Sequence, residues 1–204
     1  MKDLTLDHAK GSQHRGYSLL ELVVALIIVL VMGSVALPNI LGYRQEAALL
    51  GAAQGFKGAF MKARSIAVMK NAETAIRFET DASGLTFYST YVDGNFNGVL
   101  STDILQGTDI RIAGPIRLDA GQAGVDVGVL PGAPAPLPEY GPLGDEPIRF
   151  GRSRMVSFSP TGTGTPGTFY LKTRSSMAGV RVTGGSARVR IMILRGARWI
   201  DRQG

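Results

Sequence analysis

Hydrophobic positions along the chain fall into three regimes. From Tyr17 to Leu37 they are nearly continuous: YSLLELVVALIIVLVMGSVAL is 21 residues with one charge, Glu21. At about 1.5 Å rise per residue a helix of that length measures about 31 Å, close to a bilayer's hydrocarbon thickness. After Pro38 the apolar residues Leu41, Ala48, Leu49, Ala52, Phe56, Ala59, Phe60, Ala63, Ile66 and Ala67 recur at three- and four-residue steps. Arg44, Gln45, Lys57, Lys62, Arg64 and Lys70 fall largely elsewhere on the wheel. The spacing predicts one long helix from about 17 to 70, loosened by Gly33, Pro38, Gly42, Gly51, Gly55 and Gly58. Gly51, Gly55 and Gly58 read either as close helix contacts or as plain helix of poor propensity.

From Glu73 onward the period drops to two. Thr74–Phe78 and Leu85–Val92 read as a strand pair joined near Asp81-Ala82-Ser83-Gly84. Further strands are expected at Asp109–Ala113, Ile116–Leu118, Met155–Ser159, Thr168–Thr173, Gly179–Thr183, Ala187–Leu194 and Arg198–Ile200. Short strands separated by Gly turns predict an α+β fold, with two small antiparallel sheets against the helix. Residues 120–147 hold six Gly and six Pro, which marks a long irregular insertion, either ordered by function or disordered.

Composition removes most chemistry. The chain of 204 residues has no Cys, and its two His, His8 and His14, lie near the N-terminus. Disulfide, iron–sulfur and thiolate-zinc scaffolds are excluded, as is a cysteine nucleophile. No Ser–Lys or paired-carboxylate motif replaces them, so an enzyme is not expected. Ser159–Gly167 looks superficially like a phosphate cradle, but lacks the Lys-Ser/Thr ending of a P-loop. Net charge is +6, distributed unevenly: from Ile148 onward 11 basic residues face one acid, Asp201. That quarter suits phosphate, anionic lipid or an acidic protein surface.

The apolar run is charged on every side but its own. Lys2, Lys10 and Arg15 precede it, so the N-terminus is expected to stay cytoplasmic and the rest to be exported. No A-x-A site follows it, which argues against a secretory signal. Glu21 is the anomaly. A carboxylate in a membrane helix costs on the order of 3 kcal/mol, so it needs a partner. Gly16-Tyr17-Ser18-Leu19-Leu20-Glu21, followed by the apolar run, resembles the type IV prepilin signature. The resemblance implies that a prepilin peptidase cuts after Gly16 and N-methylates Tyr17, which stands where Phe is usual. Glu21 becomes fifth in the mature chain, and Pro38 stands where many pilins carry a helix-loosening proline. The new amine lies four residues from Glu21 and can pair with the carboxylate of an adjacent subunit.

The remainder is similar to the GspH/FimT branch of minor pilins and pseudopilins. The features are the Tyr91–Gly98 turn, Phe158-Ser-Pro-Thr-Gly-Thr163 before a strand, and Arg188-Val189-Arg190 on a late strand. That branch often has Gly before the Arg-x-Arg, where this chain has Ala187.

Two constellations remain open. Asp93, Asn95 and Asn97, followed by Gly98, match the first half of a calcium loop, although its twelfth position is Ile104 and Asp103 comes one place early. The alternative is an Asn-Gly turn without metal. Arg188 and Arg190 are expected on one strand face, with Arg195, Arg198 and Trp199 following. They read as a contact with the next pilin subunit, or as a surface that holds a phosphate backbone and stacks on bases. The resemblance partly supports the second, since some FimT-like minor pilins bind DNA during natural transformation.

The expected organisation is a cleaved leader (1–16), a transmembrane or filament-core helix (17–38), an amphipathic helical half (39–70) and a periplasmic β-rich domain (71–204) with the insertion 120–147. The chain is then a single-pass inner-membrane protein that enters a type IV filament as a minor subunit, in type II secretion or pilus assembly. Its partners are the prepilin peptidase, other pilins or pseudopilins and inner-membrane lipid. The alternative is a DNA-binding minor pilin of a competence pilus. Intact mass spectrometry of the native membrane form checks the N-terminal account directly. The expected mature chain begins with N-methylated Tyr17. A chain still carrying residues 1–16, or cut after Ala36, contradicts it.

Overall fold

The long helix begins where its first turn can be capped. In the computed structural model, which describes residues 17–118, 124–139 and 141–202 (with the side chains of 35–41 set aside), α1 runs Leu19–Lys70. Ser18 precedes it as N-cap: its Oγ accepts the Glu21 N–H at 3.2 Å and its carbonyl accepts the Leu22 N–H. A hydroxyl there satisfies one of the four N–H groups that a helix start leaves without a partner. The chain divides into two compact units, Met1–Gly42 and Tyr43–Gly204. In the first, Leu19, Leu22, Leu26, Leu30 and Met32 are all exposed. A helix apolar on every side needs lipid or other protein to cover it. Among the described residues no helix is long and apolar enough to cross a membrane. The described apolar side chains stop at Ser34, while the sequence stays apolar through Leu37.

In the second unit the predicted periodicities become one core. β1 (Thr74–Thr80) and β2 (Thr86–Val92) pair antiparallel, with Thr74 opposite Val92. Their turn is held by Asp81, whose Oδ1 accepts the N–H groups of Ser83 and Leu85, both at 2.9 Å. A short helix α2 (Ser101–Gln106) follows, then β3 (Ile110–Arg117), β4 (Asp126–Val127), β5 (Ile148–Arg149), β6 (Met155–Phe158) and β7 (Gly167–Lys172). β8 (Met177–Val182), β9 (Val189–Arg195) and β10 (Arg198–Arg202) complete the order. One sheet is β3-β2-β1-β6; the other is β10-β9-β8-β7-β4, with β5 paired to β7.

A ridge of α1, Leu49, Ala53, Phe56, Phe60, Ala63 and Ala67, fills the space at both sheets. It meets Ile76, Phe78, Val156 and Phe158 from one sheet and Phe169, Val180, Ile191 and Ile193 from the other. Phe60 stands edge-on to Phe78 and Phe150, with centroids 6.4 and 5.8 Å away. Among the described residues, Gly55 and Gly58 have nothing from other elements within 4 Å of where a Cβ would sit.

Three expectations change. Asp109–Ala113 and Ile116–Leu118 are not two strands but one, β3. Gly114 takes φ +93°, and register shifts between Tyr88 and Tyr91 absorb the bend. Pro115 is tolerated because β3 is an edge strand with no further ladder to donate to. The helix α2 was not legible in the pattern: its N-cap is Leu100, with no side-chain cap. The described part of 120–147 is ordered, since Val129, Ala133 and Leu143 pack on Tyr170 and Met177. Its first half carries β4, while 119–123 and 140 lie outside the described residues.

Phe60 is the test of this packing because it is fully buried where three aromatic neighbours converge. Phe60→Ala in the detergent-solubilised chain should cost about 3–5 kcal/mol in urea unfolding, and Phe60→Leu much less. Equal, small losses would show that the ridge is not the core.

Candidate functional site

Three sets of candidate residues were placed by sequence, and the structure treats them differently. At the N-terminus, Gly16 lies outside the described residues, and Pro38 is inside α1 with its side chain outside them. Tyr17 and Glu21 are described, and Tyr17 is 83% exposed. Ser18 joins this site, in a role the spacing already encoded. Ser18-x-x-Glu21 is the capping-box pattern, and the Ser18 Oγ to Glu21 N–H half of it is formed. The helix start is therefore fixed two residues from the expected cleavage point, and Glu21 lies in the first turn of the helix.

The Asp93 loop brings Asp93, Asn95, Asn97 and Asp103 together, but around N–H donors. Asp93 Oδ1 accepts the N–H groups of Asn95 (3.0 Å) and Phe96 (2.7 Å), and Oδ2 accepts that of Gly98 (2.7 Å). Asp103 Oδ2 accepts both side-chain amides, from Asn95 at 3.0 Å and Asn97 at 2.9 Å. Asp109, which the sequence did not single out, accepts from Gly94 and Leu100 across the same loop. Glu73 accepts from Val99. The carboxylates thus staple one exposed turn to the end of β2 and to α2. Gly94 is required there, because a Cβ would collide with the Thr108 carbonyl oxygen. Among the described residues no group of three or more His, Cys, Asp or Glu could hold a metal ion. A cation at Asp93 or Asp103 would have to displace the donors already there.

The arginines divide into two places. Val189 and Ile191 of β9 are buried in the core with Arg190 half-buried between them, as alternation required; Arg188, expected on the same strand, precedes it and is exposed, because Ala187 at φ +45° keeps the chain out of the ladder there. Arg188 and Arg190 line a groove of about 250 Å³ together with Lys57, Met61, Arg64, Asp201 and Arg202. Arg190 Nη1 pairs with Asp201 Oδ2 at 3.3 Å. Arg195 and Arg198 face each other at the β9–β10 turn, at the end of β9 away from Arg188 and about 20 Å along the strand from Val189 at about 3.3 Å per residue. There Arg195 Nη2 is held by Glu46 Oε1 of α1 at 2.5 Å. Trp199 is half-buried and engaged within the chain. Its ring lies 5.8 Å from Tyr170 and its Nε1–H donates to the Pro134 carbonyl at 2.7 Å. Sequence reasoning placed Lys57 and Arg64 on the polar side of the helix without linking them to the arginine strand. Lys57, Met61 and Arg64 are four and three residues apart, so they share one helix face.

With this geometry in view, the comparisons decide the family. A model described as type II transport protein GspH matches residues 52–194, more than half of the chain. The chain belongs to the GspH family. A model of the prokaryotic N-terminal methylation motif matches residues 11–37, which contain Gly16, Tyr17 and Glu21. Comparison with curated proteins found no match, and comparison with solved structures found none. The two matches together make this GspH-family chain a minor pseudopilin of a type IV filament system, with a membrane-anchoring N-terminus. The family is structural rather than catalytic. The GspH match begins on α1 and ends in β9, so it takes in the core ridge from Ala53 onward, the Asp93 turn, Arg188 and Arg190.

The amides of Asn97 and Asn95 hold the Asp103 carboxyl below its ordinary value. Its contribution to stability is then present above about pH 4 and is lost as pH falls through the lowered folded-state value. Asn97→Ala should move the Asp103 titration upward, toward the ordinary carboxylate range, as read by carbon-detected NMR across the acid limb. An unmoved titration would show that the amides do not set it.

Proposed function

We propose that the chain is a minor pseudopilin of a type II secretion system, inserted near the filament tip as the minor-subunit resemblance implies. It is trimmed after Gly16, methylated at Tyr17 and held in axial register by Glu21. One observation carries this reading: a methylation motif over 11–37 and a GspH match over 52–194 occur in one chain, in that order. The partners it calls for are the prepilin peptidase, neighbouring pseudopilins and inner-membrane lipid, with the β-rich unit on the periplasmic side. The function is mechanical. Cleavage creates an amine at Tyr17 beside a helix whose side chains are otherwise apolar through Ser34. Among bundled helices that amine has one class of counter-charge at its level, the glutamate of an adjacent subunit. The pair fixes how far one helix can slide past the next. Losing either member leaves an uncompensated charge in a low-dielectric layer, which is strongly destabilising.

Glu21→Val separates this role from the helix start, because the cap uses the backbone N–H of residue 21 and not its carboxylate. Membrane insertion should be intact or improved, and the fraction of chain cross-linked to neighbouring filament subunits should fall about tenfold or more. Ser18→Ala, which removes the cap for about 1 kcal/mol, should have a far smaller effect. Wild-type cross-linking in Glu21→Val would exclude Glu21 as the register-setting group.

A further inference from the structure

The groove between α1 and the β9–β10 hairpin has no task in the account so far. Five cations line it, Lys57, Arg64, Arg188, Arg190 and Arg202, against the single carboxylate of Asp201. Asp201 is committed to Arg190, and Arg202 reaches Glu46 at 3.8 Å. Among the described residues Lys57, Arg64 and Arg188 form no ion pair. Arg190 Nε is buried without a hydrogen-bond partner. Like charges gathered on one concave surface repel one another, and the low-dielectric wall of Met61 and Val189 strengthens their field. The arrangement is stabilised when an anion enters.

The shape selects the kind of anion. At about 30 Å³ for each water, a groove of about 250 Å³ displaces about eight waters, room for one or two carboxylate side chains. A DNA duplex presents a charge about every 1.7 Å of its axis and favours a long cationic track. Here the track is broken: Glu46 takes Arg195, Asp201 takes Arg190, and Trp199 is turned inward. Met61 adds an apolar contact in the floor, 41% exposed, which suits a peptide side chain better than a phosphate.

We propose that this groove docks an acidic segment of a neighbouring filament subunit, with Lys57, Arg64 and Arg188 receiving its carboxylates. The proposal rests on the filament reading above. It adds a second contact to the Glu21 pair, one made by the β-rich unit and set by charge. Such a contact chooses among partners and speeds their encounter more than it adds raw affinity.

The test places photoreactive p-benzoylphenylalanine at Met61 in the full chain in its native membrane. The expected adduct is another filament subunit, joined through a peptide rich in Asp and Glu. Arg64→Glu with Arg188→Glu should lower its yield about tenfold, the scale of two reversed charge pairs, while Arg64→Lys with Arg188→Lys keeps it. Tyr17 methylation, read on the same samples, reports on the filament reading by itself. If it is absent, that reading fails, and the groove is still decided on the detergent-solubilised chain with a fluorescent hexaglutamate peptide and a short DNA duplex. Peptide binding that is lost in the double glutamate variant and weakened by salt supports the proposal. An adduct indifferent to charge reversal, an adduct with lipid alone, no adduct, or a duplex bound more tightly than the peptide overturns it.

Discussion

The ridge that α1 presents to both sheets, from Leu49 to Ala67, is the constraint on which the second unit depends. Each sheet turns an apolar face inward, and these faces are covered by the same six helix residues. Their order alternates size: Ala53, Ala63 and Ala67 let strands come near, while Phe56 and Phe60 fill the space between. Phe78 then stacks nearly parallel on Phe169 and Phe150, at 5.2 and 6.1 Å, so residues from both sheets meet at one aromatic cluster. A helix interior packed this way tolerates little volume change. β9 joins this core through Val189, Ile191 and Ile193.

The other helix positions are thereby released for contact. Since the ridge occupies one stripe, Lys57, Met61 and Arg64 stand to one side of it, and the β9–β10 hairpin brings Arg188, Arg190 and Arg202 to meet them. Fold and charge are coupled here. Val189 and Ile191 must point inward to close the core, and alternation then turns Arg190 away from it, with Arg188 exposed just before the strand. In the N-terminal unit the same logic runs without a core. Among the described residues the large apolar side chains from Leu19 to Met32 are exposed, a surface that suits lipid or the helices of neighbouring subunits.

Much of this was legible in the sequence, and the exceptions have identifiable causes. The helix, the first hairpin and the late strands show in periodicity because one face of each is buried. The continuity of β3 was hidden by Gly114-Pro115, a pair that normally ends a strand but is harmless on a sheet edge. The helix α2 has neither length nor a capping side chain. The packing of Val129, Ala133 and Leu143 was masked by the Gly and Pro around them. For the candidate sites, the cleavage signature was complete in six consecutive residues, whereas the basic groove joins positions well over 100 residues apart and no local pattern could show it. The Asp93 loop had the right residue types for a cation, but its oxygens were counted without their backbone donors. Trp199 suited base stacking by its place beside the arginines; its half-burial depends on Tyr170 and Pro134, which the strand sequence does not reveal.

The central claim is that Glu21 works between chains and not within its own. Electron cryo-microscopy of the filament containing this chain measures that directly. The account predicts the Glu21 carboxylate within about 4 Å, ion-pair range, of the N-terminal amine of an adjacent subunit. A map showing the carboxylate turned back onto the Ser18 N–H of its own chain, completing the capping box with no neighbouring amine in reach, would contradict it.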